Sequence, residues 1–388
     1  MKILMVSSFL PYPLFNGGNI RLYNLLKHLS KKHQITLICE KRKFQTEKDL
    51  DEVKKFCQKV ITVERKKQWS VGNILKSVFS LDPFLVVGHT SLEMKEKIKK
   101  ELIENNFNLI HVETFYVFQN LPKTTLPIFL AEHNIEYLVY KRYAEESLFW
   151  IRPLIKFDNW KLRKKEIQSW TLANKLIAVS DQEKRIMKKD AIIIPNGVDL
   201  EEFDFQQPKE KMKEKEKKIL FIGDFKWIEN RNSAKWILEK IWPKINLKFN
   251  IKLWIVGRNI PQNLKKMRVK NIIFDENLLN TKEAYKKSYI LLSPIKVGGG
   301  TSFKILEAMA SGTPVVTTSL GAEGIATDKE LVIADSSQDL IDKTEELLLN
   351  SDLYEKIAKN ARKKIEENFD WKNIAEKLDK AYREVIYD

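Results

Sequence analysis

The sequence predicts an α/β chain of two Rossmann-like domains, and three observations carry that expectation. Residues 2–39 run strand, loop, helix, strand; a fresh strand starts at Ile219 after a charged stretch; and residues 288–318 repeat the unit around a glycine triplet. Strands alternating with helices in this way build parallel sheets covered on both faces. At 388 residues the chain is long enough for two or three full cores.

In chain order, KILMVS (2–7) reads as the first buried strand and SFLPYPLFNGG as a loop. A helix from about Asn19 to Lys32 then carries Ile20, Tyr23, Leu25, Leu26 and Leu29 as its apolar stripe, and Gln34–Cys39 is the second strand. Gly17 and Gly18 stand at the start of that helix without the GxGxxG spacing of a dinucleotide fingerprint. A tight turn is the plain alternative for them. Further strands are expected at Val60–Val63, Leu109–Val112, Ile128–Ala131 and Lys175–Val179, and the lysine- and aromatic-rich stretch 67–105 reads as helices over the sheet.

His133, in FLAEHNIE, directly follows a buried strand, and Asn134 is expected to cap a helix beginning at Ile135. An imidazole in that place either satisfies core hydrogen bonds or, at a strand end, faces a ligand. His111 and Glu113 end the preceding strand as weaker candidates. PNGVD closes a first domain of residues 1–200, and the charged run in 201–217 reads as an exposed linker. Residues 218–370 form the second domain, and 371–388 a last helix.

Residues 288–318 are the centre of that second domain. Tyr289–Leu292 is a buried strand, Gly298-Gly299-Gly300 a loop, and a helix opening near Thr301 or Ser302 stops at Ser311-Gly312 before a second β-branched strand. Glycines let the backbone approach a ligand, and a helix start aims unpaired N–H groups and a positive dipole end at an anion. From Phe303 to Ala310 the helix is apolar except for Lys304 and Glu307, which share one face. A mutual salt bridge is one reading of that pair. At the carboxyl end of a strand in an open α/β sheet, a ligand is the other, with Lys304 neutralising a phosphate and Glu307 accepting from sugar hydroxyls.

The stretch GGGTSFKILEAMASGTPVVTTSLGAEGI resembles the donor-site signature of the family 4 glycosyltransferases. That resemblance implies the GT-B fold, two Rossmann-like domains facing a central cleft, with the C-terminal helix crossing back to the N-terminal domain. It also implies a retaining, metal-independent transfer from a nucleotide-diphosphate sugar, in which Glu307 holds the ribose, Lys304 faces the diphosphate and His133 reaches the transferred sugar. Gly17, Gly18, Lys226, Gly299, Gly300, Thr301 and Ser302 match the remaining donor-binding positions, with Arg231 and Arg258 as alternatives to Lys226. Asn230 fits a subgroup pattern of an asparagine opening its helix, and DENLLN should lie beside the base. Many members carry a glutamate where this chain has Gly299, which resembles a subgroup with a glycine-rich donor loop.

Composition narrows the classes. The 43% hydrophobic and 31% charged balance is that of a globular protein, and Cys39 and Cys57 offer neither metal spacing nor a disulfide framework. No cofactor is expected beyond the donor substrate. The first apolar run is too short for a secretory signal and nothing is long enough to span a bilayer, so a cytoplasmic protein is expected. A net charge of +16 is compatible with peripheral contact at an anionic membrane face, and no nucleic-acid module is recognisable. The acceptor implied is a cell-surface glycan or a lipid-linked sugar. An oxidoreductase would need GxGxxG after its first strand, whereas a non-catalytic sugar-nucleotide or polyanion binder is allowed by Gly299.

Overall fold

The computed structural model describes residues 1–187, 190–214, 216–267, 269–277, 280–296 and 301–387, except the side chain of Glu146. It divides into a first unit, Met1–Pro195 with Ile374–Asp388, and a second, Asn196–Asn373.

The first unit is a seven-stranded parallel sheet of β1 (Lys2–Ser7), β2 (Gln34–Lys41), β3 (Lys59–Glu64), β4 (Leu109–Glu113), β5 (Ile128–Ala131), β6 (Lys175–Ala178) and β7 (Ala191–Ile193). Its order is β3-β2-β1-β4-β5-β6-β7. The order reverses between β1 and β4, whose last residues, Ser7 and Glu113, are in register. Crossovers on either side of such a reversal lie on opposite faces, leaving a crevice at the carboxyl ends of the two strands. Leu4, Val6, Ile110, Val112, Leu130 and Leu176 form part of the core on one face. The last helix, Trp371–Tyr387, supplies Leu378 and Tyr382 to this unit, both fully buried.

The second unit repeats the plan with six parallel strands: β8 (Lys218–Ile222), β9 (Lys252–Val256), β10 (Ile272–Asp275), β11 (Ile290–Ser293), β12 (Val315–Thr317) and β13 (Val332–Ile333). The order β10-β9-β8-β11-β12-β13 puts its reversal between β8 and β11. Along β8, Ile219 and Phe221 enter one core cluster and Leu220 and Ile222 another, so successive side chains feed the two faces.

Three local expectations are corrected. Residues 201–217 do not form an exposed linker but belong to the second unit, where Phe203, Pro208 and Lys211 are buried. The Lys211 ammonium donates to the carbonyls of Tyr285 and Ser288 at 2.7 and 3.1 Å and to Thr313 Oγ1 at 2.5 Å, and burial lowers it to about 7. A lysine-rich run conceals one buried lysine because nothing in composition distinguishes it from its neighbours. Second, the helix after His133 is Glu136–Glu146, and Asn134 does not cap it. The distant Glu166 carboxylate instead accepts from the Glu136 and Tyr137 amides at 2.8 and 2.9 Å. Third, the helix that Asn230 was expected to open begins earlier, at Ile228.

Candidate functional site

In the second unit, the helix that follows β11 is Phe303–Ala310, with Ser302 at its N-cap. Its apolar residues Ile305, Leu306, Ala308 and Met309 are fully buried, which fixes its rotation and leaves Lys304 and Glu307 partly buried on the other side. The two do not form an ion pair with each other. Lys304 Nζ donates to Asn230 Oδ1 at 2.7 Å and lies 5.1 Å from the centre of the Phe221 ring. Glu307 Oε2 accepts from the Tyr285 hydroxyl at 2.8 Å. Burial lowers Lys304 to about 8 against the pull of Glu229 and Glu307, and burial raises Glu307 to about 7 against the Tyr285 hydrogen bond.

Asn230 comes from the helix after β8, so the two segments flanking the sheet's reversal meet at Lys304. Its amide nitrogen donates to the Asp224 carbonyl at 2.8 Å. Gly223, at the end of β8, makes room for it: a Cβ there would lie 2.7 Å from Asn230 Cγ. Asparagine suits the position because its carbonyl oxygen holds the ammonium without cancelling the charge.

The three basic candidates separate. Arg231 donates to the carbonyls of Phe225 and Lys226, both at 3.1 Å, and Arg258 pairs with Asp224 at 3.0 Å. Lys226 is exposed, and among the described residues no ion pair involves its ammonium. Thr301 is buried, its Oγ1 and carbonyl accepting from the Asn196 amide and side chain at 3.1 Å each. The Ser302 hydroxyl makes no cap hydrogen bond, while its carbonyl accepts from Ile305 and Leu306. Gly299 and Gly300 lie outside the described residues, as do Leu278 and Leu279 of DENLLN.

In the first unit, the helix Gly17–Leu29 starts at the glycine pair, capped by Asn16, which accepts from the Asn19 amide at 3.1 Å. Gly18 lies against His133: a Cβ on it would be 3.3 Å from Nδ1. His133 Nε2 is 2.6 Å from Glu113 Oε1, and His111 Nε2 is 2.6 Å from Glu113 Oε2. Tyr382, from the last helix, reaches His111 Nδ1 at 2.6 Å, and Arg21 Nε lies 3.4 Å from Glu113 Oε1. Burial alone would raise the Glu113 carboxyl, but the imidazoles of His133 and His111 hold it well below the usual carboxylate range. Burial lowers Arg21 against the pull of Glu113, and its Nη1 donates to the Pro195 carbonyl at 3.0 Å, so it ties Glu113 to the segment after β7.

The sequence carries no motif around Tyr285 or Tyr382, which lie in the helices Thr281–Lys286 and Trp371–Tyr387, and the strand-end position of Glu113 is its one signal. Among the described residues, no group of three His, Cys, Asp or Glu side chains could hold a metal ion.

Residues 15–202 match the family described as Glycosyltransferase Family 4, and residues 216–350 that described as Glycosyl transferases group 1. The chain is 26% identical to an "Uncharacterized 44.6 kDa protein in cps region" of Klebsiella pneumoniae over 96% of this chain and 97% of that one. It is 29% identical to a phosphatidyl-myo-inositol mannosyltransferase of Mycobacterium leprae over 54% of this chain and 59% of that one. A crystal structure of Anabaena HepE in complex with UDP-glucose superposes with a TM-score of 0.66 at 14% identity, covering 99% of this chain and all of that one. At that identity the likeness is one of fold.

Proposed function

This chain is a family 4 glycosyltransferase of the GT-B fold, and from that premise we propose that it transfers a sugar from a nucleotide-diphosphate donor with retention at the anomeric carbon and without a metal ion. The observation that carries the reading is the separation of Lys304 and Glu307. One helical turn apart, they are held by Asn230 and Tyr285 and not by each other, so both charges are available to a ligand. Lys304 would neutralise the diphosphate, joined by Lys226 and the amides at the start of the Phe303–Ala310 helix, and Glu307 would accept from the ribose hydroxyls. In the first unit, Gly18 and His133 meet beside Glu113, and we assign Gly17, Gly18 and His133 donor contacts by the family resemblance. The complex of HepE with UDP-glucose supports the choice of donor class.

Chemically, the bond from the anomeric carbon to phosphate breaks with its electron pair leaving on the diphosphate oxygen. An acceptor hydroxyl oxygen bonds to the same face, and its proton passes to the departing phosphate. The charge built on that oxygen is what fixed cations and N–H dipoles stabilise. With no carboxylate assigned as a nucleophile, retention follows from attack on the face the diphosphate leaves. For the acceptor, we favour a cell-surface glycan or lipid-linked sugar. The name of the mycobacterial mannosyltransferase supports a lipid-borne acceptor, and the net charge of +16 suits work at an anionic membrane face.

A thermal-shift screen against UDP-, GDP- and ADP-sugars tests this, because a ligand at a hundred times its Kd adds about 2.7 kcal/mol to apparent stability. One donor should raise the melting temperature and then release its nucleoside diphosphate on turnover. Binding without release under any acceptor mixture would make the protein a sugar-nucleotide binder instead.

A further inference from the structure

The helix Val71–Phe79 is built inside out. Its one buried side chain is Ser77, whereas Val71, Leu75, Val78 and Phe79 face solvent, Phe79 at 84% exposure. Trp69 before it and Leu81 after it are about as open, at 77% and 81%. A helix in a globular protein normally turns its apolar face inward. Here polar anchors fix the opposite rotation. Lys161 Nζ donates to the Ser77 carbonyl at 2.6 Å and to Ser77 Oγ at 3.1 Å, and Asp158 accepts from Ser77 Oγ and the Phe84 amide, each at 3.0 Å.

Those anchors belong to the helix Arg152–Leu172, which continues the same surface. Leu154, Phe157 and Trp160 recur every three residues along it, all exposed, and Phe149 and Trp150 stand open in the turn before it. More than half of the exposed large apolar side chains among the described residues fall within 69–81 and 143–160. Scattered apolar residues need no explanation, but a continuous patch marks an interaction site.

The rim decides what the patch meets. Lys66, Lys67, Lys76, Lys156, Arg163 and Lys164 are exposed around it, and the Lys164 ammonium lies 3.9 Å above the Trp160 ring. Asp82 and Asp158 are engaged with Lys165 and Lys161, and Glu145 is the one other acid among the described side chains of 66–84 and 141–165. A second copy of the chain would bring like charges together across a twofold contact. An anionic bilayer complements both features: cations meet lipid headgroups while tryptophans, apolar in body with one polar N–H, sit at the interface. No described helix is long and apolar enough to cross a membrane, so the contact is an interfacial one.

We propose that the face formed by the Val71–Phe79 helix and the 149–164 segment docks the protein on an anionic lipid surface. The proposal deepens the membrane-side reading above, yet it uses none of the donor-site residues, so the two can fail separately. The full chain is mixed with vesicles of phosphatidylcholine alone and of phosphatidylcholine with phosphatidylglycerol, and bound protein is separated by flotation. Binding should require the anionic lipid and weaken as salt rises. The double variant Phe79→Ser/Trp150→Ser should bind about tenfold or more weakly while donor hydrolysis in solution is unchanged. Lys76→Glu/Lys156→Glu, which keeps the apolar patch, should lose the preference for anionic vesicles. Wild-type protein that ignores vesicles, variants that bind as wild type does, or a dimer that Phe79→Ser/Trp150→Ser disperses would each overturn the proposal.

Discussion

The Lys304 ammonium donates to Asn230 Oδ1 at 2.7 Å, a bond from the helix after β11 to the helix after β8. It aims the cation at the point where the second sheet reverses. Asn230→Ala should leave the lysine without its guide and weaken nucleoside-diphosphate binding by about tenfold, the equivalent of roughly 1.4 kcal/mol. Calorimetric titration measures this directly, and unchanged affinity would show that Asn230 does not orient the lysine.

Donor binding should peak in a narrow pH window. Glu307, raised to about 7, accepts fully only when ionised, so affinity rises with pH through about 7. Lys304, lowered to about 8, carries its charge only below that, so affinity falls as pH rises through about 8. Tyr285→Phe removes a hydrogen bond that lowers Glu307 and should move the acid limb to higher pH. Lys304→Arg should move the alkaline limb beyond the working range. Profiles of kcat/KM against pH check both shifts.

Gly223→Ala tests the space around that asparagine. The new Cβ would lie 2.7–2.9 Å from three atoms of the Asn230 side chain, which is tethered at both ends. Overpacking of this kind costs on the order of 1–3 kcal/mol. The variant should bind donor at least as poorly as Asn230→Ala, and wild-type binding would mean that the loop yields.

Glu113→Gln should separate support from chemistry in the first unit. The carboxylate sits 2.6 Å from both His133 Nε2 and His111 Nε2, so glutamine removes the charge that orients two imidazoles. The expected result is a fall in kcat of about tenfold to a hundredfold, with KM for the donor little changed. Equal effects on both parameters, or on neither, would place His133 outside the reaction.

Much of this architecture was legible in the chain. The Tyr289–Leu292 apolar run, the helix start near Ser302 and the isolated charges Lys304 and Glu307 are local signals, and the strand and helix stand there. Partners contributed by distant segments were not legible. Nothing near Tyr285 or Tyr382 announces that one meets Glu307 and the other His111, 22 and 271 residues away. The inverted helix at Val71–Phe79 escaped for a related reason. Its apolar spacing reads as a core face until Lys161 and Asp158, far along the chain, are seen to hold the polar side down.

Turnover by Lys304→Ala and Glu307→Ala, each confirmed as folded by circular dichroism, bears most directly on the central claim that these two side chains grip the donor's diphosphate and ribose. With the donor identified by the thermal-shift screen, each variant should lose about a hundredfold to a thousandfold in transfer and in donor hydrolysis. Wild-type rates of both reactions in both variants would contradict it.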